Sequence, residues 1–454
     1  MDILEMEKIY CSQGDTSGKH QPKKVFSGQE GCFLFDVDNI PYLDMQMFNS
    51  AANFGYKNNA YNECFEKSSQ NLLCLSGEFI NKEKVYLSKK ISNYMQTNHG
   101  CMGRVHFTVG GAQAVDDALK LAFKYTKKNR VFAFEGGYHG RTMAASSISA
   151  SYRYTKAFGN VIDTHRIPFP NCYRCAYGKN EKNCSLYCIE QFERLFESEF
   201  NGITDANYLN TSISAFIFEP VLGRGGYVFP NKKYLKELER ILHKHNILII
   251  ADEVQMGFYR TGRQWSFEHY GITPDIIIFG KAITNGLWPL AGVWARDNII
   301  SPFNWSTGST HCTFANSPLA MLLGIKTIEI TQNSNFVELQ NKSAKEFGTL
   351  ISKLKAEFSF IGRAQVEGHA AGLEIIDSIT QKIDGKKTKQ LIETALNETV
   401  LYQGKKFGLI LTAGGIHDGS IMLSPSINIT SNELELFYNL LRANFEKVFL
   451  QEKN

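Results

Sequence analysis

The sequence predicts an α/β protein: a large domain with a mainly parallel sheet covered by helices, then a smaller α/β C-terminal domain. Three observations predict it. The apolar runs VFAF (131–134), SAFIFEP (214–220), ILIIADE (247–253) and IIIFGK (276–281) are continuous rather than alternating, as strands buried on both faces are. Helix-period stretches fall between such runs: in 114–126, Val115, Ala118, Leu119, Ala122 and Phe123 share one face. From about residue 301 the pattern shifts to the helix-like SPLAMLLGIKTIEI (317–330), a long charged helical stretch and a mixed tail.

Taken in order, residues 1–75 are irregular and are expected to pack on both domains. Residues 76–330 form the large domain and 331–454 the small one. The start, MDILEMEKIYCSQGD, is too acidic and too short of apolar residues for a signal peptide. No apolar stretch approaches the roughly 20 residues that span a bilayer. A cytoplasmic protein without a membrane partner is therefore expected. A net charge of +4, from 49 basic and 45 acidic residues, gives no reason to invoke nucleic acid. Ten cysteines in an unexported chain of this length read as thiols rather than a disulfide framework.

Ligands of doubly wound sheets sit at the carboxyl ends of the strands, and three features meet there. GGAQAVDDA places Gly110 and Gly111 between a strand and a helix start, where free N–H groups take anions; alone, such a pair is more often a tight turn. Asp252 ends ILIIADE, and by itself is as readily a cap or a structural ion pair. Lys281 follows IIIFG; alone it reads as a surface lysine, but apolar neighbours would lower its pKa and make it a nucleophile. Together they answer one demand. A pyridoxal cofactor needs a phosphate cradle, a lysine for its aldehyde and an acid facing its pyridine nitrogen. Asp252 and Lys281 are expected to end successive strands of one strand–helix–strand unit.

The segments FEGGYHGRT (134–142), FEPVLGRGGYVFP (218–230), IADEVQMGFYRTG (250–262) and FGKAITNGLWPLAGV (279–293) carry a specific resemblance. Over about residues 30–440 the chain resembles the class III aminotransferases of pyridoxal-phosphate fold type I, especially the 4-aminobutyrate and ornithine group. The resemblance implies a transaminase that forms an aldimine on Lys281 and passes nitrogen through pyridoxamine phosphate. It also implies roles for single residues. Gly111 and Ala112 match backbone donors to the phosphate; Tyr138 matches the ring stacked on the pyridine, with His139 beside it. Asp252 would face the pyridine nitrogen, Val254 would back the ring and Gln255 would reach the phenolic oxygen. Thr313 matches the threonine that reaches a phosphate from a neighbouring subunit, implying a homodimer with shared sites. Glu219 is given a supporting role.

Departures from the family pattern bear on substrate. A hydroxyl residue is usual in the phosphate loop where Gly110 or Ala112 stands. The family's C-terminal arginine for the α-carboxylate aligns with Met422, and its partner glutamate with Arg224. Methionine cannot form arginine's bidentate carboxylate bond. Either Arg224 supplies the cation from the other side, or the carboxylate is bound differently, or the co-substrate is not a dicarboxylate. Arg141 matches an arginine for the substrate's distal carboxylate; a structural ion pair is the alternative.

Cys172, Cys175, Cys184 and Cys188 form C-x2-C-x8-C-x3-C, a spacing that suits zinc or an iron–sulfur cluster. Unmetallated thiols in a subunit-contact loop are the preferred reading, so no metal is expected. His106 reads as a packed core histidine, Trp265 and Trp288 as packing rather than substrate cages, and GKKTKQ (385–390) as a solvated helix start. Transamination of an amino acid or amine donor with a keto or aldehyde acceptor leads. A racemase or epimerase on the same Lys281 site is the alternative, since it needs no 2-oxoglutarate site. A decarboxylating relative and a non-catalytic cofactor-binding module come behind.

Overall fold

In a computed structural model of the chain, residues 2–12, 14, 24–72, 74–180, 182–205 and 211–450 are described. Seven strands form the largest sheet, in the order Gly103–Thr108, Ala291–Arg296, Ile276–Phe279, Leu248–Asp252, Ile213–Phe218, Arg130–Phe134 and Asp163–Ile167. The last five run parallel. Ala291–Arg296 is antiparallel to both of its neighbours, so one edge of the sheet is mixed.

The unbroken apolar runs are the central strands, as expected: Ile213–Phe218 and Ile276–Phe279 are buried at every position. Helix Gly111–Thr126 turns Ala114, Val115, Ala118, Leu119 and Ala122 onto one face of the sheet. Helix Lys232–Lys244 covers the other with Tyr234, Leu235, Leu238 and Leu242, against Phe134, Phe216 and Phe218. Each large side chain buried this way contributes about 1.5–3 kcal/mol, so the strand ends at the site are rigidly held.

One expected connection differs. Asp252 and Lys281 do follow adjacent parallel strands, but the link between those strands contains a short 3-10 turn, Ser266–Tyr270, and no α-helix. Gly257, Gly262 and Gly271 punctuate it, and Phe258 and Tyr259 adopt left-handed backbone at φ 55° and 65°. A segment so interrupted cannot propagate helical hydrogen bonds.

The N-terminal strands Phe26–Glu30, Phe33–Asp36 and Pro41–Asp44 join Lys405–Ile410 and Val400–Tyr402 in a five-stranded sheet. A four-stranded sheet follows the order Ile361–Glu367, Ala370–Ile375, Ser420–Leu423, Thr412–Gly414. Cys32, Leu43 and Met45 share one core with Phe347, Leu373, Leu409 and Phe437. The early residues also reach the large sheet: the Asn285 side chain accepts from Phe54 N and donates to Gly55 O, both at 2.9 Å. Among the described residues no helix is long and apolar enough to cross a membrane.

Candidate active site

Three strand ends of the large sheet, and the helix that packs on it, build the site. The strand Leu248–Asp252 delivers Asp252, which is buried. Its carboxylate meets His139 Nδ1 at 2.7 Å through Oδ2 and accepts from Val254 N at 3.1 Å through Oδ1. Fixed on both oxygens, it cannot swing away. The other ring nitrogen of His139, Nε2, is buried without a protein partner.

The strand Ile213–Phe218 delivers Glu219, whose carboxylate accepts from Tyr138 N at 2.9 Å and Gly223 N at 3.0 Å. Burial, reinforced by Asp252, pushes its pKa up to about 7 against the opposing effects of His139 and the two backbone donors. Glu219 thus holds its proton more firmly than an exposed glutamate.

Lys281 follows Ile276–Phe279 and Gly280, in a left-handed conformation at φ 46°. By surface area the residue is only partly buried, yet protein atoms crowd its amine enough to penalise the charged form. Burial lowers its pKa to about 8; Asp252 and Glu219 pull the other way, and Arg260 adds to the lowering. A lysine neutral near pH 8 is a usable nucleophile.

Helix Gly111–Thr126 points its first turn at this group, and no side chain caps that end. A Cβ on Gly111 would stand 3.0 Å from Val254 Cγ1, and one on Gly280 3.5 Å from the same atom. Val254 thus sits between the phosphate-type loop and the lysine loop. Gly140, at φ 121°, closes on Ala112, where an added Cβ would come within 2.4 Å of the alanine Cβ. Gln255 donates from Nε2 to Tyr227 Oη at 3.0 Å. Tyr138 is half-buried, edge-on to Tyr154 at 5.5 Å between ring centroids.

The structure therefore brings together Gly111, Ala112, Tyr138, His139, Asp252, Val254, Gln255 and Lys281. Arg141 is exposed, its guanidinium 5.4 Å from the Tyr154 ring centroid. Thr313 is exposed in an apolar groove with Phe65, Leu75, Trp288 and Phe314. Trp288 is 40% exposed there, while Trp265 is buried. His106 is less enclosed than expected: it stands on an edge strand, 3.4 Å from Asp117.

The rim carries the departures. Met422 is buried in the strand Ser420–Leu423, opposite Gly372 and Thr412. Arg224 crosses to the same strands from the large domain's side, donating to Ala413 O and pairing with Asp418 at 2.9 Å. Its cation lies one strand from the methionine. The cysteine quartet lines a small cavity with Phe169, Tyr177 and Tyr187, and burial raises the Cys188 thiol pKa. Among the described residues no group of His, Cys, Asp or Glu has metal-holding geometry.

Residues 16–444 match the family model of aminotransferase class-III. The chain belongs to the class III aminotransferases. Family members use pyridoxal phosphate and transfer amino groups. The residues present fit that group: a lysine of lowered pKa, a nearby buried acid fixed on both oxygens, and an uncapped helix start that meets the lysine's loop at Val254. The chain is 27% identical to a leucine/methionine racemase of Thermococcus litoralis, over 88% of this chain and 86% of that one. A probable 4-aminobutyrate aminotransferase of Bacillus subtilis is 26% identical over 96% and 95%. Among solved structures, an ω-aminotransferase from Paracoccus denitrificans superposes with a TM-score of 0.85 at 23% identity, covering 99% of this chain and 100% of that one. That likeness bears out the fold.

Tyr227, Ser50 and Arg260 are the members of the site region that sequence reasoning missed. Arg260 is fully buried, bonded to His369 O at 3.0 Å as well as to Pro425 O and Asn53. The signal for Tyr227 was Gly-Gly directly before an aromatic residue, which marks a sharp turn holding a large side chain.

Proposed function

We propose that this enzyme moves an amino group from a carboxylate-bearing amino donor to a keto-acid or aldehyde acceptor, with pyridoxal 5'-phosphate held on Lys281. The observation that carries the reading is the meeting of the Gly111 helix start and the Gly280 loop at Val254, whose N–H binds Asp252, an acid that acts on the Lys281 amine. When bound, pyridoxal phosphate supplies the electron sink that makes loss of a substrate Cα proton feasible. The chain's residues do the rest. Asp252, fixed by His139 and by Val254 N–H, would keep a proton on the pyridine nitrogen. Backbone N–H groups of Gly111 and Ala112 hold phosphate at the helix start. Tyr138 and Val254 would hold the ring between them, and Gln255 would hold its phenolic oxygen. With the cofactor bound, the Lys281 amine, neutral above about pH 8, would take the substrate Cα proton and hand it to the cofactor carbon on the far side of the transferred nitrogen.

Arg224 is the proposed seat for the donor's carboxylate, taking over from the position that Met422 leaves without charge. Arg141 is proposed for a distal carboxylate. A second copy of the chain would cover the groove that holds Thr313, Trp288 and Phe314, completing a phosphate contact across a homodimer. A cytoplasmic setting agrees with the reading.

The second reading, an amino-acid racemase or epimerase, is favoured by one observation. Arg224 is already paired with Asp418 and Met422 is buried, so the rim lacks the usual dicarboxylate arginine. The test is to mix the pyridoxal form with a panel of amino acids and amines, without acceptor, and resolve products by chiral mass spectrometry. Stoichiometric keto product with pyridoxamine phosphate supports transamination. Catalytic appearance of the opposite enantiomer, cofactor unchanged, establishes the second reading.

A further inference from the structure

Two stretches of left-handed backbone meet at one hydroxyl. Met47, Phe48, Asn49 and Ser50 have φ of 43°, 53°, 53° and 63° in succession, a conformation that asparagine tolerates but that is unfavourable for the other three. Tyr227 has φ 48°, directly after Gly225 and Gly226. Such outliers persist only where surrounding structure over-determines them, and here it does. Arg363 donates to Gly226 O at 3.0 Å and to Tyr227 O at 3.4 Å. Gly372 backs the same turn so closely that a Cβ there would stand 2.4 Å from Gly226 O. The Ser50 turn is braced on the lysine loop: a Cβ on Gly286 would meet Phe48 at 3.0 Å and Ala51 at 3.2 Å.

What the two turns jointly fix is a buried chain of polar atoms. Ser50 Oγ lies 3.0 Å from Tyr227 Oη, and Gln255 Nε2 donates to that same Oη at 3.0 Å. Ser50 and Tyr227 are essentially inaccessible to water. A tyrosine hydroxyl that accepts from Gln255 has one proton left, and Ser50 Oγ is placed to receive it. The glutamine amide has two N–H groups. With one directed to Tyr227, its rotation is fixed and the second is free for another acceptor.

We propose that Tyr227 is a positioning residue: its hydroxyl, locked by Ser50, orients the Gln255 amide so that the second N–H faces the phenolic oxygen of the cofactor. The proposal rests on the reading of Lys281 and Gln255 as cofactor residues. An N–H on that oxygen stabilises its negative charge and weakens its hold on the neighbouring imine proton. The proton on the cofactor–lysine nitrogen then leaves at lower pH. Asp252, Glu219 and Arg260, the charged groups that act on the Lys281 amine, are left in place by every substitution below.

The experiment is a spectrophotometric pH titration of bound pyridoxal phosphate in the reconstituted full chain, without substrate. Gln255→Leu is expected to raise the midpoint by about one unit, and Tyr227→Phe by about half a unit. Combining the two should add nothing to Gln255→Leu alone. If Gln255→Leu leaves the midpoint unchanged, the cofactor reading of Gln255 fails and takes the proposal with it. If Gln255→Leu shifts it and Tyr227→Phe does not, that reading stands and the proposal is overturned. Additive shifts in the double variant also overturn it, since Tyr227 would then act by another route. Phenylalanine keeps the ring and so the packing. Should that variant still fail to fold, Ser50→Ala decides: a smaller rise supports the proposal, and no shift sinks it.

Discussion

The floor of the site and its rim are built differently. On the floor, Asp252 and Glu219 have both carboxylate oxygens engaged, and Lys281 stands on a left-handed residue behind two buried strands. At the rim, Arg224 reaches across to Ala413 and Asp418, and the two charged side chains keep 27% and 26% of their exposure. A buried group held from several sides keeps its geometry whichever substrate enters. A half-exposed ion pair is weak, worth at most about 1 kcal/mol, and exchanges partners readily. On the proposed reading, reaction type resides in the floor and substrate choice in the rim.

The largest expected effect breaks the floor. Lys281→Ala should lower turnover at least about a thousandfold with every donor, because nucleophile and proton carrier are lost together. Steady-state rates and the visible absorbance of bound cofactor measure this. An absorbance unchanged by the substitution would remove Lys281 from its assigned place.

Next comes the rim. Arg224→Gln should raise KM for carboxylate-bearing donors about 10- to 100-fold, the worth of a charge-assisted hydrogen bond, with kcat nearly unchanged. Simple amines should be unaffected. Asp418→Asn, which frees the guanidinium, should lower KM for the same carboxylates. Equal losses with amines and amino acids would show that Arg224 supports structure rather than substrate.

The same contrast explains what could be read from the sequence. Asp252 and Lys281 were legible because continuous apolar runs announce buried strands, and the residues at their ends answer one chemical demand jointly with the Gly110–Gly111 turn, though neither does alone. Met422 and Arg224 were legible as departures from a motif, but their meeting was not. Arg224 and Asp418 lie 194 positions apart, and the partner depends on how the Thr412–Gly414 strand docks. Tyr227, marked only by the Gly-Gly before it, and Ser50 were missed for another reason. Left-handed backbone at non-glycine residues leaves no periodicity to find. The absent helix between Asp252 and Ile276 was missed because chain length was taken as room for one, although three glycines argued otherwise.

A gentler probe of the floor uses pH. Lys281 has a lowered pKa, about 8, so the neutral amine predominates from there upward. Capture of pyridoxal phosphate by apoenzyme should rise about tenfold per unit as pH approaches 8, then level off. An ordinary lysine would go on gaining until above pH 10. Stopped-flow absorbance at fixed ionic strength measures the profile. A rise continuing past pH 9.5 would mean that the amine is solvated and that the floor is less enclosed than its packing indicates.

The smallest effect is expected where the family's arginine would stand. Met422 is buried, and Gly414 lies so near that a Cβ there would stand 2.6 Å from the thioether sulfur. If the residue only fills space, Met422→Leu should cost less than about 1.5 kcal/mol of stability and leave KM for carboxylate donors within about twofold. Denaturant melts and steady-state kinetics on one preparation separate the two readouts. A large rise in KM without loss of stability would place Met422 against substrate and move the carboxylate seat from Arg224 toward the strand Ser420–Leu423. The rim would then be built around an apolar contact, and the preferred donor would carry a hydrophobic side chain in place of a second acid.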